Sequence, residues 1–206
     1  AAMYQPGKVI KAGTATADNP GHPAAATAYI LDMNQPLPAW QQTGSMAFPR
    51  SFLNLTLLPD GTVLATGGSS TTDLANFSAA VYEAEIWSPV TQSWTTMSRM
   101  QTPRLYHSTA LLLPDATVLV AGGGRENGRS QPDPKDEPNA EIFSPPYLFK
   151  GPRPTISSAP SIIQYGTAFA VATPDAARTA SVSLIALSSV THAFNQNQRL
   201  VPLAFD

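Results

Sequence analysis

Tyrosine and histidine stand side by side at Tyr106 and His107. A second histidine, His192, lies in the stretch Thr191-His192-Ala193-Phe194-Asn195-Gln196-Asn197-Gln198-Arg199, whose polar residues suggest a hairpin tip or recognition loop. The chain holds three histidines in all. The remaining one, His22, sits in Asn19-Pro20-Gly21-His22-Pro23, a turn sequence that reads as a solvent-exposed loop. Taken singly, each histidine is an ordinary hydrogen-bonding side chain. A phenol and two imidazoles brought to one point would instead make a nitrogen and oxygen donor set suited to Cu(II) in tetragonal geometry. Metal sites built on thiolates are excluded, as is any disulfide within the chain, because there is no cysteine.

Geometry sets a condition on this reading. Adjacent residues of a regular strand point to opposite faces, so Tyr106 and His107 can share a metal only where the backbone is irregular. Pro103, three residues upstream, favours an irregular entry to the strand.

The surrounding segment belongs to a repeat of about 55 residues. Leu57-Leu58-Pro59-Asp60-Gly61-Thr62-Val63-Leu64-Ala65-Thr66-Gly67-Gly68 returns as Leu112-Leu113-Pro114-Asp115-Ala116-Thr117-Val118-Leu119-Val120-Ala121-Gly122-Gly123, and Glu85-Ile86-Trp87-Ser88-Pro89 returns as Glu141-Ile142-Phe143-Ser144-Pro145. A fainter upstream copy runs from Lys8 to Gly13 and from Tyr29 to Asp32, with Trp40 matching Trp94 and Met46 matching Met100. Just before each first strand, Met46-Ala47-Phe48-Pro49-Arg50-Ser51-Phe52-Leu53 aligns with Met100-Gln101-Thr102-Pro103-Arg104-Leu105-Tyr106-His107. Proline and arginine repeat, which assigns them a structural task. Phe52-Leu53 becomes Tyr106-His107, as expected of a site grafted onto a repeated scaffold.

Each unit reads as a small antiparallel sheet: strand, Pro-Asp-Gly-type turn, strand ending at glycines, loop, and a further strand. The period and paired glycines predict an all-β fold of kelch-type β-propeller blades. About three blades are present, and kelch propellers close with about 4–8. The chain is therefore expected to be part of a larger propeller, whose missing blades come from the same or another polypeptide. From Arg153 onward the pattern changes to short strands at Thr155-Ile156, Ile162-Ile163, Ala168 to Val171, Val182 to Leu187 and Leu200 to Phe205, the signature of a β-sandwich. The expected organisation is blades over residues 1–150 and the start of a truncated immunoglobulin-like domain over 151–206.

Composition narrows the partners. A formal net charge of -2 provides no general attraction to nucleic acid or anionic membrane. No apolar run approaches about 18 residues, and no basic, apolar leader opens the chain. Asn54-Leu55-Thr56 and Asn76-Phe77-Ser78 match the glycosylation sequon, the first beside an expected buried strand. The charged run Asp133-Pro134-Lys135-Asp136-Glu137, within the loop 125–138, reads as solvated.

The segment from Arg104 to Asp115 resembles the kelch segment of galactose oxidase and glyoxal oxidase, the copper radical oxidases. Thr191 to Arg199 resembles the copper-binding loop of their C-terminal domain, and Ser144-Pro145-Pro146-Tyr147-Leu148-Phe149 with Arg153-Pro154 resembles the junction between the two. The resemblance implies copper as cofactor, with Tyr106 the axial ligand and catalytic base and His107 and His192 the imidazole ligands. It implies a secreted or extracytoplasmic enzyme that oxidises a primary alcohol or an aldehyde, carbohydrates included, while reducing O2 to H2O2. It also implies a radical tyrosine cross-linked to cysteine. No cysteine is present, and no other tyrosine matches the radical tyrosine's motif, so this chain alone is expected to be inactive. The competing reading is a noncatalytic kelch and β-sandwich module binding a glycan or protein. Trp40, Trp87 and Trp94 offer stacking surfaces for it, although their repetition favours packing between blades.

Overall fold

The computed structural model describes residues 1–15, 20–74, 76–124 and 136–206; most of the loop 125–138 lies outside the described residues. The repeats form three antiparallel sheets. The first contains β1 (Ala2–Gln5), β2 (Lys8–Ala15), β3 (Ala24–Asp32) and β4 (Gln41–Thr43) in that order. The second contains β5 (Asn54–Leu57), β6 (Val63–Thr66), β7 (Glu83–Ser88) and β8 (Ser93–Arg99). The third contains β9 (Ser108–Leu112), β10 (Val118–Gly122) and β11 (Ala140–Phe143). The inner strands lie side by side, β1 against β5 and β5 against β9, as propeller blades require.

Burial explains the different apolar patterns of equivalent strands. The second sheet is covered on both faces, so β5 and β6 are buried throughout. Val63 and Ala65 face the first sheet and pack with Ile10, Ala28, Leu57 and Trp87, whereas Leu64 faces the third and packs with Ala84, Ala110, Leu112 and Val118. In β9 only alternate residues are buried, because this chain covers one face. The repeated methionines act alike: Met46 enters the first of these cores and Met100 the second.

The repeated arginine is the keystone of its sheet. Arg50 is 0% exposed; Nη2 pairs with Glu85 Oε2 at 2.5 Å, while Nη1 donates to the carbonyls of Gly67 and Glu83 at 3.1 and 3.0 Å. Burial lowers the Arg50 pKa, and the Glu85 carboxylate opposes that shift. Arg104 repeats the arrangement more openly, donating to the Gly122 and Asn139 carbonyls at 3.0 Å and approaching Glu141 to 3.6 Å.

The glycines join one blade to the next. Gly13 and Gly67 have φ of +66° and +65°, and a Cβ there would lie 2.1 Å from the Arg50 carbonyl oxygen and 2.4 Å from that of Arg104. The Arg104 carbonyl also accepts from the Gly68 N–H at 2.8 Å. Gly67→Ala should therefore cost about 2 kcal/mol or more, combining left-handed backbone strain with a clash against fixed backbone. A urea-unfolding midpoint equal to wild type would refute this account of the blade joint.

After the third sheet, Tyr147 seals its end: burial raises the phenol pKa, and the hydroxyl donates to the Ala116 carbonyl at 2.7 Å. The C-terminal segment contains β12 (Val182–Ala186) paired with β15 (Arg199–Leu203), and the two-residue strands β13 (Val190–Thr191) and β14 (Phe194–Asn195) paired with each other. Ile185 packs against both cores, so this segment is docked on the blades. The strands expected at Thr155-Ile156, Ile162-Ile163 and Ala168 to Val171 do not form. That stretch has only the Ser158–Ala172 bridge, and Ile162 is 82% exposed. Apolar residues become a strand only beside a pairing partner, and among the described residues the pairing here stops at that single bridge. No helix among the described residues is long and apolar enough to cross a membrane.

Candidate metal centre

Tyr106, His107 and His192 converge. Ring centroids are 4.0 Å apart for Tyr106 and His107, 5.7 Å for Tyr106 and His192, and 5.3 Å for the two imidazoles. The condition set by strand geometry is met through the backbone. His107 has φ +64° in a turn just before β9, so it is not a strand residue and its ring falls beside Tyr106. The Leu105 carbonyl closes this turn by accepting from the Ser108 N–H at 3.1 Å.

His192 arrives on the tip of the β13–β14 hairpin. Thr191 pairs with Phe194, leaving His192 and Ala193 as a two-residue loop with φ of +51° and +63°. Positive φ at both central positions is the type I′ pattern, normally filled by Asn-Gly. Placing histidine and alanine there stores backbone strain at the tip, of the kind found at functional sites. The Thr191 hydroxyl lies 2.7 Å from His192 Nδ1. With Nδ1 so engaged, Nε2 is the ring atom left to bind a metal.

The hairpin runs along the inner strands, β13 against β9 and β14 against β5. Two amides fasten it. Gln198 accepts from the Leu57 N–H at 2.8 Å and donates to the Leu57 carbonyl at 2.6 Å, while Asn195 donates to the Leu55 carbonyl at 3.1 Å. Across the blade seam, Asn54 donates to the Ser108 hydroxyl at 3.0 Å, tying β5 to the residue after His107. These polar contacts escaped the sequence reading; the clustering of Asn and Gln after Phe194 was their one visible trace.

Phe52, equivalent to Tyr106 in the preceding blade, meets that phenol edge-on at 5.5 Å. Both imidazoles are exposed, so the cluster opens to solvent. Among the described residues no group of three His, Cys, Asp or Glu side chains could hold a metal, and the phenol is the third donor beside the two imidazoles.

Other candidates separate from this cluster. His22 is exposed, its backbone bonded to Thr72. Asn54 is buried at the blade seam, and Asn76 turns its side-chain oxygen to the Ser78 N–H and hydroxyl at 3.1 and 2.6 Å. Trp87 and Trp94 are packing residues, their indole N–H groups donating to the Thr43 hydroxyl and the Gly44 carbonyl. Trp40 departs from that pattern: it is 45% exposed, with the Lys11 ammonium 4.7 Å from its ring.

Sequence comparison agrees with this architecture. Residues 6–147 match the family model described as glyoxal oxidase N-terminus, and residues 153–206 match the galactose oxidase-like Early set domain. The aldehyde oxidase GLOX of Vitis pseudoreticulata is 32% identical over 90% of this chain and 37% of its own length. Galactose oxidase of Gibberella zeae is 29% identical over 98% of this chain and 30% of its own length. A solved fungal alcohol oxidase of the AA5 family, in complex with copper, superposes with a TM-score of 0.87 at 30% identity, covering 98% of this chain and 43% of that one. The chain thus spans about a third of the length of these curated relatives. With the inner-strand seam, the docked hairpin and both family models in agreement, the chain belongs to the glyoxal oxidase and galactose oxidase family.

Proposed function

We propose that Tyr106, His107 and His192 form the protein ligand set of a copper centre in an oxidase acting on a small primary alcohol or aldehyde. The observation carrying this reading is the convergence of one phenol and two imidazoles from separate parts of the chain, with Nδ1 of His192 already engaged. The donor set fits: imidazole nitrogen and phenol oxygen suit Cu(II). The solved relative is a copper complex, and the aldehyde and galactose oxidases are relatives over most of this chain. Bound copper would acidify a coordinated alcohol and take part in redox exchange with O2.

The residues supply the remaining work. His107 and His192 would each supply a ring nitrogen as ligand. In His192 the Nδ1 atom lies 2.7 Å from the Thr191 hydroxyl, which leaves Nε2 as the nitrogen available to a metal. Tyr106, with Phe52 packed edge-on against its ring, would serve as the base: bound to the metal as phenolate, it would take the substrate hydroxyl proton and become the phenol. The organic radical that the family resemblance implies requires a tyrosine–cysteine pair. This chain contains no cysteine, so the pair would belong to a partner segment. Oxidation of the alcohol to an aldehyde, or of the hydrated aldehyde to an acid, releases two electrons and two protons, which convert O2 to H2O2. The reading includes secretion, which detection of the polypeptide outside the source cells would test.

The test separates metal binding from turnover. The 206-residue chain should bind a single Cu(II) with nitrogen hyperfine structure in its electron paramagnetic resonance spectrum, yet release no H2O2 from an alcohol. Failure to bind Cu(II) would remove the metal reading and favour the noncatalytic glycan- or protein-binding module. Peroxide formation by the isolated chain would remove the need for a separate radical residue.

A further inference from the structure

We infer that Gln198 is a positioning residue for the copper centre, setting the reach of His192 by standing in for a β-strand on the open edge of β5. This inference rests on the proposed copper site. β5 is paired only with β6, so its inner edge leaves alternate backbone groups unpartnered. Leu55 and Leu57 point theirs to that edge, where Gln198 takes both the N–H and the C=O of Leu57. One amide thereby makes the two-point contact that a paired strand residue makes.

Asn195 extends the grip to the Leu55 carbonyl at 3.1 Å and donates to Gln198 Oε1 at 2.5 Å. Gln198 is 3% exposed, and burying an amide is favourable only when its polar atoms are satisfied. The hairpin itself has two residue pairs, too few to hold its own shape in water. Its tip also carries two non-glycine residues at positive φ. The position of His192 must therefore come from docking, and Gln198 and Asn195 bind this segment to the backbone of β5.

The experiment uses the full-length polypeptide that contains this chain, loaded with Cu(II). Gln198→Met keeps side-chain length and removes both contacts. Cu(II) affinity should fall by about 10–100-fold, as for loss of an outer-shell partner, with altered copper hyperfine splitting. Ile185→Ala, which loosens the same docked segment at an apolar contact, should lower the melting temperature and leave that splitting unchanged. Should Gln198→Met not fold, Gln198→Glu retains the acceptor for the Leu57 N–H and is read in the same way. Coupling is reciprocal, so in the wild type copper loading should also slow hydrogen exchange at the Leu57 amide. Wild-type copper affinity and spectrum in a folded Gln198 variant, or exchange at Leu57 indifferent to copper, would overturn the inference. A wild-type protein that takes up no Cu(II) would instead defeat the proposed copper site itself.

Discussion

His192→Ala is expected to lower Cu(II) affinity by more than ~100-fold while leaving the blades folded, a larger loss than removal of an outer-shell partner causes. Tyr106 and His107 come from one turn and would remain as a two-point site. His192 alone comes from the C-terminal segment, and its ring is exposed, so little packing is lost with it. The thermal midpoint should thus stay near wild type while the copper titration collapses. Tyr106→Phe provides the complementary case. It keeps the edge-on contact with Phe52 and removes only the phenol oxygen. If both variants bound copper as tightly as wild type, the ring cluster would be packing and nothing more.

The largest stability effect should come from Arg50→Met, about 3–5 kcal/mol, because the change leaves the Glu85 carboxylate buried without its cation. Both side chains of that pair are 0% exposed, and Glu85 Oε1 also accepts from the Ala47 N–H at 2.6 Å. The equivalent Arg104→Met should cost less. Glu141 is 28% exposed in its side chain, lies 3.6 Å from Arg104, and keeps the N–H groups of Gln101 and Thr102 at 2.9 Å. Burial raises the Glu141 pKa, but those backbone donors and Arg104 more than offset it, so the carboxylate stays ionised and reachable by water. Replacing Arg50 and Glu85 together by apolar residues should cost less than the two single changes summed. Equal urea midpoints for Arg50→Met and Arg104→Met would show that burial does not distinguish the two arginines.

What could be read from the chain follows from what was local. The Pro-Asp turn, the double glycines and the Glu-Ile strand recur at a spacing of about 55 residues, so the second and third sheets could be aligned from residue types alone, and Trp40 and Met46 extend the match to the first. Arginine repeats where its neighbours change, and the sheets indeed hang on Arg50 and Arg104. The pairing of Tyr106 with His107 could be singled out because the preceding blade has Phe52-Leu53 there. How adjacent side chains reach one point could not, since positive φ at His107 is a property of its turn rather than of its residue type. The docking role of Gln198 was hidden for another reason: its partner is backbone some 140 residues away, and backbone leaves no mark in a sequence. Residues 155–171 misled in the opposite sense. Their β-branched and aromatic residues favour strands, but strand formation depends on a neighbour that local composition does not specify.

The contact of Gly13 with the Arg50 carbonyl, and of Gly67 with that of Arg104, gives the seams a direction. The second unit carries both halves of the joint, Gly67 toward its successor and Arg50 toward its predecessor, and the glycine-to-arginine separation along the chain is the same at both seams. Tandem copying of one unit therefore duplicates a complete joint, and the array can lengthen without any new fitting having to arise.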